Sequence, residues 1–300
     1  MTTQPAIVLI NLSKAYDETH GIHAINLSVD QGEVFGFLGP NGAGKSTTIN
    51  TILGILRPTS GTISILGLDH FKDLKKVHQH IGYVSGDMET DKALTGKQYL
   101  EYVANLRGVS KTAYQPLIER LDADIHAKIK HLSRGNRQKI GLIAALMHDP
   151  DLLILDEPTS GLDPLIQAEF NAIIKEHTAR GKTTFISSHV LGEVQAICDR
   201  VGFIREGKLI KVTTLEELMA HTPRNVTIHF SSVVPKKEAF ALPGLHKLSH
   251  RGNSVSFTYS GDINRLIRLL AGHSVSSLEI NEADLEELFM NYYKKETKHV

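Results

Sequence analysis

The sequence contains one cysteine, no tryptophan, no net charge and no long hydrophobic run. Cys198 cannot form a disulfide within the chain, so we expect a reducing compartment. The apolar stretches are shorter than the roughly 18 to 20 residues that cross a bilayer, so any membrane role is expected to depend on a partner. The 33 Lys and Arg residues balance the 33 Asp and Glu residues, and the overall charge therefore gives no reason to expect nucleic-acid binding. Residues 1–5 carry neither a charged nor an apolar stretch, which predicts a chain without a signal peptide.

The length and composition are those of a folded protein with more than one domain. The 300 residues are 41% hydrophobic and 22% charged, which excludes a wholly disordered chain. At roughly 150 residues per domain the length predicts two domains, and a chain of this size buries a large core without disulfides. We expect the first domain at residues 1–220 and the second at residues 222–300.

Hydrophobic periodicity predicts an α/β first domain. Alternating or continuous apolar stretches predict strands at residues 7–9, 25–29, 34–38, 62–66, 152–155, 183–187 and 201–204. Helical spacing follows from Ser46 to Leu56 and again from Thr95 to about Pro150, where Thr95 and Gln98 fit a capping box. Buried strands that alternate with helices favour a mainly parallel sheet. The stretch from residue 95 to residue 150 is predicted to be a helical insertion.

The second domain is predicted to have the order βαββαβ, which is typical of a small ferredoxin-like α+β unit. Pro223 is expected to stop the helix that begins at Thr214, which makes residues 221–225 a linker. The predicted elements are strand 226–231, helix 236–242, strands 245–249 and 254–259, helix 263–271 and strand 274–280. A final amphipathic helix is expected to present four side chains on one face: Leu285, Leu288, Phe289 and Tyr292.

A phosphate-binding loop joins the predicted strand at residues 34–38 to the helix that follows. The segment fits the pattern G-x-x-x-x-G-K-[ST] and consists of Gly39, Pro40, Asn41, Gly42, Ala43, Gly44, Lys45, Ser46 and Thr47. Glycines let backbone N–H groups surround phosphate oxygens, and the start of the helix presents its positive end to the anion. Lys45 is predicted to reach the β- and γ-phosphates, and the Ser46 hydroxyl is predicted to ligate Mg²⁺. The alternative is a flexible glycine turn, and the strand–loop–helix context counts against it.

Two adjacent carboxylates, Asp156 and Glu157, follow the predicted strand at residues 152–155. Downstream of a phosphate loop, Asp156 is expected to hold Mg²⁺ through a water molecule. Adjacent residues of a strand point to opposite faces, so Glu157 is expected to have a different task, and a carboxylate there can act as general base toward an attacking water. The alternative is that the two charges merely end the strand at the surface.

The order of further motifs carries a resemblance to a known family. Residues 132–136 (LSRGN) precede the acidic strand, residues 158–163 (PTSGLD) follow it, and residues 187–189 (SSH) come later. A phosphate loop, signature, acidic strand, D-loop and switch histidine in this order resemble the ATP-binding cassette (ABC) ATPases over residues 4–219. The resemblance implies the P-loop ABC-ATPase fold, an α/β domain with an antiparallel β subdomain and a helical insertion.

The resemblance also implies a head-to-tail dimer that encloses two ATP molecules. Each ATP would lie between the phosphate loop of one chain and three residues of the other, namely Ser133, Gly135 and Asp163. Within one chain, His189 matches the switch histidine that contacts the γ-phosphate, and it joins Glu157 as a catalytic candidate. Tyr16 stands where the family stacks an aromatic ring on adenine, although an ordinary tyrosine is the alternative because a single aromatic is weak evidence.

Two segments depart from the common family pattern. Arg134 and Asn136 stand where the signature usually has Gly and Gln, whereas the Ser and the second Gly are kept. Gly86 stands where the family usually has a Gln, or sometimes a Glu, that touches Mg²⁺ and senses the transmembrane partner. Gly86 has no side chain for this task, and Asp87 is the candidate metal ligand that would replace it. A solvated loop aspartate is the alternative for Asp87, because such residues often serve turns.

Together these features predict the ATP-binding and ATP-hydrolysing subunit of an ABC exporter, with ATP and Mg²⁺ as cofactors. The sequence around residues 132–165 and the C-terminal extension resemble multidrug-type exporters of the ABC-2 class. The expected partners are a second copy of the chain and a separate transmembrane permease, and the expected location is cytoplasmic, peripheral on the inner face of the cell membrane.

Two alternatives are an ATPase of the same fold that acts on ribosomes or DNA, and a nucleotide-dependent regulator that does not hydrolyse ATP. A single cassette without a basic tail or heptad run counts against the first, and Glu157 and His189 count against the second.

Overall fold

The computed structural model of the chain describes residues 4–17, 20–86, 91–221 and 224–282. The chain divides into two compact units, residues 1–215 and 216–300. The first unit therefore ends at residue 215, compared with residue 220 in the prediction from sequence. Asp87 and the predicted final helix around residues 285–292 lie outside the described residues.

The first unit alternates strands with helices. Its strands are β1 (Ile7–Ala15), β2 (Gly21–Val29), β3 (Val34–Leu38), β4 (Ser60–Ile65), β5 (Leu68–Asp69), β6 (Ile81–Val84), β7 (Leu152–Asp156), β8 (Thr183–Ser188), β9 (Arg200–Arg205) and β10 (Lys208–Thr214). Its helices are α1 (Lys45–Ile52), α2 (Leu74–Gln79), α3 (Gly96–Arg107), α4 (Lys111–Arg120), a 3₁₀ helix (Ile129–His131), α5 (Arg134–Leu146), α6 (Pro164–Ala179) and α7 (Leu191–Ile197), and α8 (Leu215–His221) follows at the junction of the units. Among the described helices of the whole chain, none has both the length and the apolar character needed to cross a membrane.

A six-stranded sheet in the order β10-β9-β3-β8-β7-β6 lies at the centre of the first unit. All of its neighbouring strands are parallel except β10, which pairs antiparallel with β9 at one edge. Every residue of β3, β7 and β8 is buried, as expected of central strands in a parallel sheet. The predicted α/β fold with a mainly parallel sheet is confirmed. The carboxyl ends of β3, β7 and β8 lie at the same edge of the sheet, and the candidate site is built there.

A second, antiparallel sheet has the order β2-β1-β4-β5. Apolar side chains of this sheet, such as Ile7, Ile25 and Ile65, share one core with Phe35 and Phe185 of the central sheet. The antiparallel subdomain implied by the family resemblance is therefore present, and its core is continuous with that of the central sheet.

The helical insertion consists of α3, α4, the 3₁₀ helix and α5. Thr95 caps α3 and forms the predicted capping box with Gln98. Gly108 ends α3 in the left-handed conformation, with φ of 67°, which glycine adopts without steric cost. Local signals at both ends of α3 therefore fix its bounds.

Short elements account for most of the differences from the prediction. The strands β5, β6 and β10 and the helix α2 are not predicted by hydrophobic periodicity. β6 has four residues, and one of them is Gly82, where a Cβ atom would lie 2.2 Å from the carbonyl oxygen of Ala145 in α5. The glycine that breaks the apolar pattern is thus required by close backbone packing.

The second unit contains a four-stranded antiparallel sheet. Its elements are β11 (Arg224–Phe230), a 3₁₀ helix (Lys237–Phe240), β12 (Leu245–Arg251), β13 (Ser254–Tyr259), α9 (Ile263–Leu270) and β14 (Val275–Glu282). The sheet order is β12-β13-β11-β14, and its core includes Val226, Phe257 and Leu266.

Two predictions for the second unit need correction. The strand β11 begins at Arg224, so Arg224 and Asn225 belong to a strand and not to a linker. The predicted helix at residues 236–242 is a four-residue 3₁₀ helix. Since the ferredoxin-like pattern has two α-helices, the ferredoxin-like class of this unit stays a prediction.

Candidate nucleotide-binding site

The phosphate loop begins where β3 ends, at the edge of the central sheet. The Gly39 N–H group donates to the carbonyl of Ser188 over 3.2 Å, which ties the start of the loop to the end of β8. Gly42 and Gly44 have φ of 79° and 106°, a region that side chains with a Cβ atom rarely adopt. A Cβ atom at Gly39 would lie 2.4 Å from the carbonyl oxygen of Ile204. These three glycines therefore shape the loop through backbone geometry and close packing.

Lys45 begins α1, and its ammonium group lies inside the loop. The Lys45 side chain is only 5% exposed. Its Nζ atom donates to the carbonyl oxygens of Gly39 over 2.8 Å and of Pro40 over 3.1 Å. The same Nζ atom lies 3.4 Å from Oε1 of Glu157. A buried positive charge is thus held at the mouth of a loop suited to anions.

Asp156 and Glu157 have different surroundings at the end of β7. Asp156 is buried, and its Oδ1 atom accepts a short hydrogen bond from the Ser187 hydroxyl of β8. Glu157 follows the strand with φ of 47°, and its N–H group donates to the carbonyl and hydroxyl oxygens of Ser187. The left-handed conformation is costly for a non-glycine residue, and here hydrogen bonds to the neighbouring strand hold it. Strand alternation does not apply to Glu157, because β7 ends at Asp156.

Glu157 contacts both Lys45 and His189. His189 follows the last residue of β8, and its Nδ1 atom lies 3.2 Å from Glu157 Oε1. The Glu157 side chain is about a quarter exposed, so it reaches solvent while it contacts the Lys45 ammonium group and the His189 ring. The structure therefore brings together a phosphate-loop lysine, an acidic residue and a histidine that are far apart in the sequence.

A cleft of about 340 Å³ runs along the phosphate loop. Of the predicted nucleotide-binding residues, six of the loop and Tyr16 line it: Tyr16, Asn41, Gly42, Gly44, Lys45, Ser46 and Thr47. Gly39, Pro40 and Ala43 do not line it, and the Ala43 side chain is buried in the core.

The exposed ring of Tyr16 places an aromatic surface at this cleft. Lys14 Nζ lies 5.6 Å from the centre of the ring. His20, which sequence reasoning missed, also lines the cleft, and its Nδ1 atom lies 2.7 Å from Asp17 Oδ2. No motif marks His20, and only its proximity to Tyr16 in the sequence could have drawn attention to it.

A second cleft, of about 570 Å³, lies on the acidic side of the phosphate loop. Its lining residues include Ser46, Gly86, Arg134, Asp156 and Glu157. The hydroxyl of Ser46 and the carboxylate of Asp156 thus face one space, and both are oxygen donors of the kind that Mg²⁺ prefers. Within the described ranges, no three His, Cys, Asp or Glu side chains cluster as a metal site. A Mg²⁺ ion here would therefore need phosphate and water oxygens as well.

Ser133 and Gly135 begin α5 away from the loop of their own chain. Ser133 caps the helix, and its Oγ atom accepts from the N–H group of Asn136 over 3.1 Å. The Asn136 side chain bonds to both the N–H and the carbonyl of Asp124, which anchors the preceding loop. A Cβ atom at Gly135 would lie 2.3 Å from the carbonyl oxygen of Gly161. The signature residues therefore pack closely against the D-loop.

Asp163 caps the helix α6. Its Oδ1 atom accepts from the N–H groups of Leu165 and Ile166, each over 3.0 Å. Ser133, Gly135 and Asp163 line neither of the two clefts described above. The structure thus groups the candidates in two sets, one at the phosphate loop and one at the signature and D-loop.

The fold and this site define a P-loop nucleotide-binding protein, because a phosphate loop joins a buried parallel strand to a helix beside an acidic strand end. The profile of the family described as ABC transporter matches residues 22–160. The uncharacterized ABC transporter ATP-binding protein YhcH of Bacillus subtilis (strain 168) is 34% identical over 287 residues, which cover 93% of each chain. The bacitracin transport ATP-binding protein BcrA of Bacillus licheniformis is 33% identical over 290 residues, which cover 93% of this chain and 94% of that protein.

A solved structure of the ATP-binding subunit of an ABC transporter is similar to this chain. It is 30% identical, with a TM-score of 0.65, and the match covers 71% of this chain and 91% of that one. The chain belongs to the ABC transporter family, as an ATP-binding and ATP-hydrolysing subunit.

Proposed function

We propose that this chain hydrolyses ATP at the site around Glu157 and thereby drives a separate permease that exports its cargo. The observation that carries the proposal is that Lys45 and His189 both contact Glu157 Oε1, at 3.4 and 3.2 Å, beside the phosphate loop. The BcrA relative is named as a bacitracin transport ATP-binding protein, which supports a role in transport.

Lys45 is proposed to bind the β- and γ-phosphates. An ammonium group has three N–H donors, and two of them are directed at the carbonyl oxygens of Gly39 and Pro40. The remaining donor faces Glu157. When ATP occupies the loop, this donor is available to a phosphate oxygen, and the N–H groups at the start of α1 surround the same anion. Tyr16 is proposed to stack on the adenine.

Glu157 is proposed to be the general base of hydrolysis. Its carboxylate takes a proton from water, the water oxygen attacks the γ-phosphorus, and the bond to the β–γ bridging oxygen breaks to release ADP and phosphate. His189 lies within 3.2 Å of the carboxylate and is proposed to hold it while contacting the γ-phosphate. Release of Lys45 toward ATP would free the base for its water.

Mg²⁺ is the proposed metal cofactor, with Ser46 and Asp156 as the residues that hold it. Asp156 is fixed by its hydrogen bond to Ser187, and its other carboxylate oxygen can bind a metal-bound water. The ion would neutralise charge on the phosphates. A metal role for Asp87, which is outside the described residues, stays a prediction.

The second group of site residues is proposed to serve the ATP of a partner copy in a head-to-tail dimer. Ser133 uses its Oγ atom as an acceptor in the helix cap, so its hydroxyl proton can still be donated to a phosphate oxygen. Gly135 adds an N–H group at the start of α5, and Asp163 lies in the adjoining D-loop. This arrangement explains why these residues lie away from the phosphate loop of their own chain.

The second unit is proposed to brace or regulate the dimer and not to bind nucleotide. Within the described part of the chain, every residue that lines the two clefts belongs to the first unit. A chain that ends after Ala220 is therefore expected to keep ATP binding. Insoluble or unfolded protein after this truncation would show instead that the two units depend on one core.

Purification of the chain from its native membranes tests the exporter proposal. We expect an accompanying protein with several membrane spans, and ATP hydrolysis that responds to it, with the chain peripheral on the cytoplasmic face. A Lys45→Met chain provides the control, since it should still associate with the permease but should not hydrolyse ATP. Recovery of the chain with ribosomes or DNA in place of a membrane protein would contradict the proposal, and binding without hydrolysis would favour a regulator.

A further inference from the structure

The switch-histidine candidate, His189, lies on a turn that side-chain packing does not hold. Its side chain is 44% exposed, and the next residue, Val190, is 42% exposed. The contact between His189 Nδ1 and Glu157 Oε1, at 3.2 Å, nevertheless requires a defined direction of the ring. Because exposed side chains make few buried apolar contacts that could restrict them, hydrogen bonds must hold the backbone of the turn.

Ser188, the last residue of β8, holds this turn from one side. The residue is buried, with 1% of its surface exposed. Its carbonyl oxygen accepts from the Gly39 N–H group over 3.2 Å, which joins it to the phosphate loop. Its Oγ atom accepts from the Val190 N–H group over 2.9 Å, which closes the backbone around His189. The direction of His189 therefore depends on the side chain of Ser188.

Glu193 accepts a hydrogen bond from the hydroxyl of Ser188. It is the third residue of α7, it is half-buried, and its Oε2 atom lies 2.5 Å from Ser188 Oγ. A hydroxyl has one proton and two lone pairs, so a proton donated to Glu193 leaves a lone pair for the Val190 N–H group. The carbonyl oxygen of Val190 is a competing acceptor, at 3.3 Å. Among the described residues, Ser188 is the only hydrogen-bond partner of the Glu193 carboxylate.

We propose that Glu193 is a positioning residue for ATP hydrolysis, which acts through Ser188 on the direction of His189. The inference rests on the proposed role of His189 in hydrolysis. Glu193 lines neither of the two clefts described above, so its effect reaches the nucleotide only through other residues. Without this acceptor, the Ser188 hydroxyl turns to the Val190 carbonyl. The turn then no longer holds the His189 ring against Glu157.

Two substitutions of Glu193 in the full-length chain test this inference, with ATP turnover and calorimetric ATP affinity as the measurements. Glu193→Ala removes the acceptor, and turnover should fall about 10- to 100-fold, the loss expected from a small misplacement of a catalytic group. ATP affinity should stay within about twofold of the wild type, since the phosphate loop is intact and the loss concerns the transition state. Glu193→Gln keeps an oxygen that accepts from Ser188, so its turnover should stay within about threefold of the wild type.

A role of Glu193 in helix stability alone predicts a different pattern. Glu193 lies in the first turn of α7, where a negative charge stabilises a helix. Glu193→Gln removes that charge as completely as Glu193→Ala does, so this role would give the two variants equal losses of turnover. Equal losses would therefore overturn the inference, and so would wild-type turnover of Glu193→Ala. Glu216→Ala is the matched control, because it removes an exposed carboxylate from the first turn of α8 and should leave turnover unchanged.

The double variant of Glu193→Ala with His189→Ala shows whether Glu193 acts through His189. Single-turnover hydrolysis with an excess of protein measures the low rates. Because the effects of coupled residues do not add, Glu193→Ala should cost less than about twofold once the His189 side chain is absent. An undiminished loss in the His189→Ala background would overturn the inference.

Ser188→Ala removes the same hydrogen bond without a change in α7, and it keeps the test decisive if Glu193→Ala does not fold. A thermal midpoint shows whether the variant is folded, and its turnover should fall as it does for Glu193→Ala. Wild-type turnover of a folded Ser188→Ala chain would overturn the inference. Wild-type turnover of His189→Ala would instead contradict the proposed role of His189, so the two failures can be told apart.

Discussion

Replacement of Lys45 by methionine should separate phosphate binding from the packing of the loop. Methionine keeps the apolar stem, which is buried in the protein, and removes the ammonium group that bonds to Gly39 and Pro40. The loss of one charge-assisted hydrogen bond to a phosphate is worth about 1.5 to 3 kcal/mol, which corresponds to roughly a 10- to 150-fold loss of ATP affinity. Hydrolysis should fall further, because the same charge stabilises the transition state.

Titration calorimetry with ATP, together with a steady-state hydrolysis assay, measures both effects of Lys45→Met. Lys182→Met is the control, because Lys182 is partly buried and ion-paired with Asp151 at 2.6 Å, immediately before β8 and away from the phosphate loop. The control should bind and hydrolyse ATP like the wild type. ATP affinity of Lys45→Met within twofold of the wild type would refute the phosphate contact assigned to Lys45.

Three further predictions concern stability and reactivity. Burial lowers the pKa of His177 from 6.5 to about 4, so the unfolded chain binds the proton more tightly than the folded one. The free energy of unfolding should therefore fall by up to about 3 kcal/mol as the pH falls from about 6.5 to 4. His177→Leu should flatten this part of a pH series of urea unfolding, and an unchanged slope would contradict the assignment. Gly82→Ala should lower the free energy of unfolding by about 1 to 3 kcal/mol, because its Cβ atom would lie 2.2 Å from the carbonyl oxygen of Ala145. Gly141→Ala, whose Cβ atom would have its nearest neighbour at 3.6 Å, should be neutral or stabilising. Equal thermal midpoints for the two variants would refute the packing argument. Burial raises the pKa of the Cys198 thiol well above its usual range, so a thiol reagent at pH 8 should label the protein only after unfolding, and rapid labelling of the native protein would show that Cys198 is accessible.

Motifs that act through local geometry could be predicted from the sequence. Gly42 and Gly44 are required by left-handed backbone, and the buried strand before them follows from its continuous apolar residues. Thr95 and Gln98 predict the start of α3, because their side chains form the capping-box hydrogen bonds there. In each case the information lies within a few residues, so no knowledge of the tertiary fold is needed.

Features that depend on contacts between distant segments could not be predicted. The conformation of Glu157 is fixed by Ser187, which lies on a neighbouring strand, and strand alternation alone gave a different expectation for its direction. Gly135 is needed because a Cβ atom there would lie 2.3 Å from the carbonyl oxygen of Gly161, which is distant in the sequence. His20 lines the first cleft together with Asn41 and Lys45 of the phosphate loop, which are distant from it in the sequence.

ATP turnover by Glu157→Gln, measured beside ATP affinity, tests the central claim most directly. Glutamine keeps the size of the side chain but cannot accept the proton of the attacking water. We expect ATP affinity to stay within a few-fold of the wild type, since the phosphate loop is intact, while turnover falls by about 100-fold or more, the usual range for a general base. A Glu157→Gln chain that hydrolyses ATP at the wild-type rate would contradict the role of Glu157 and the mechanism built on it.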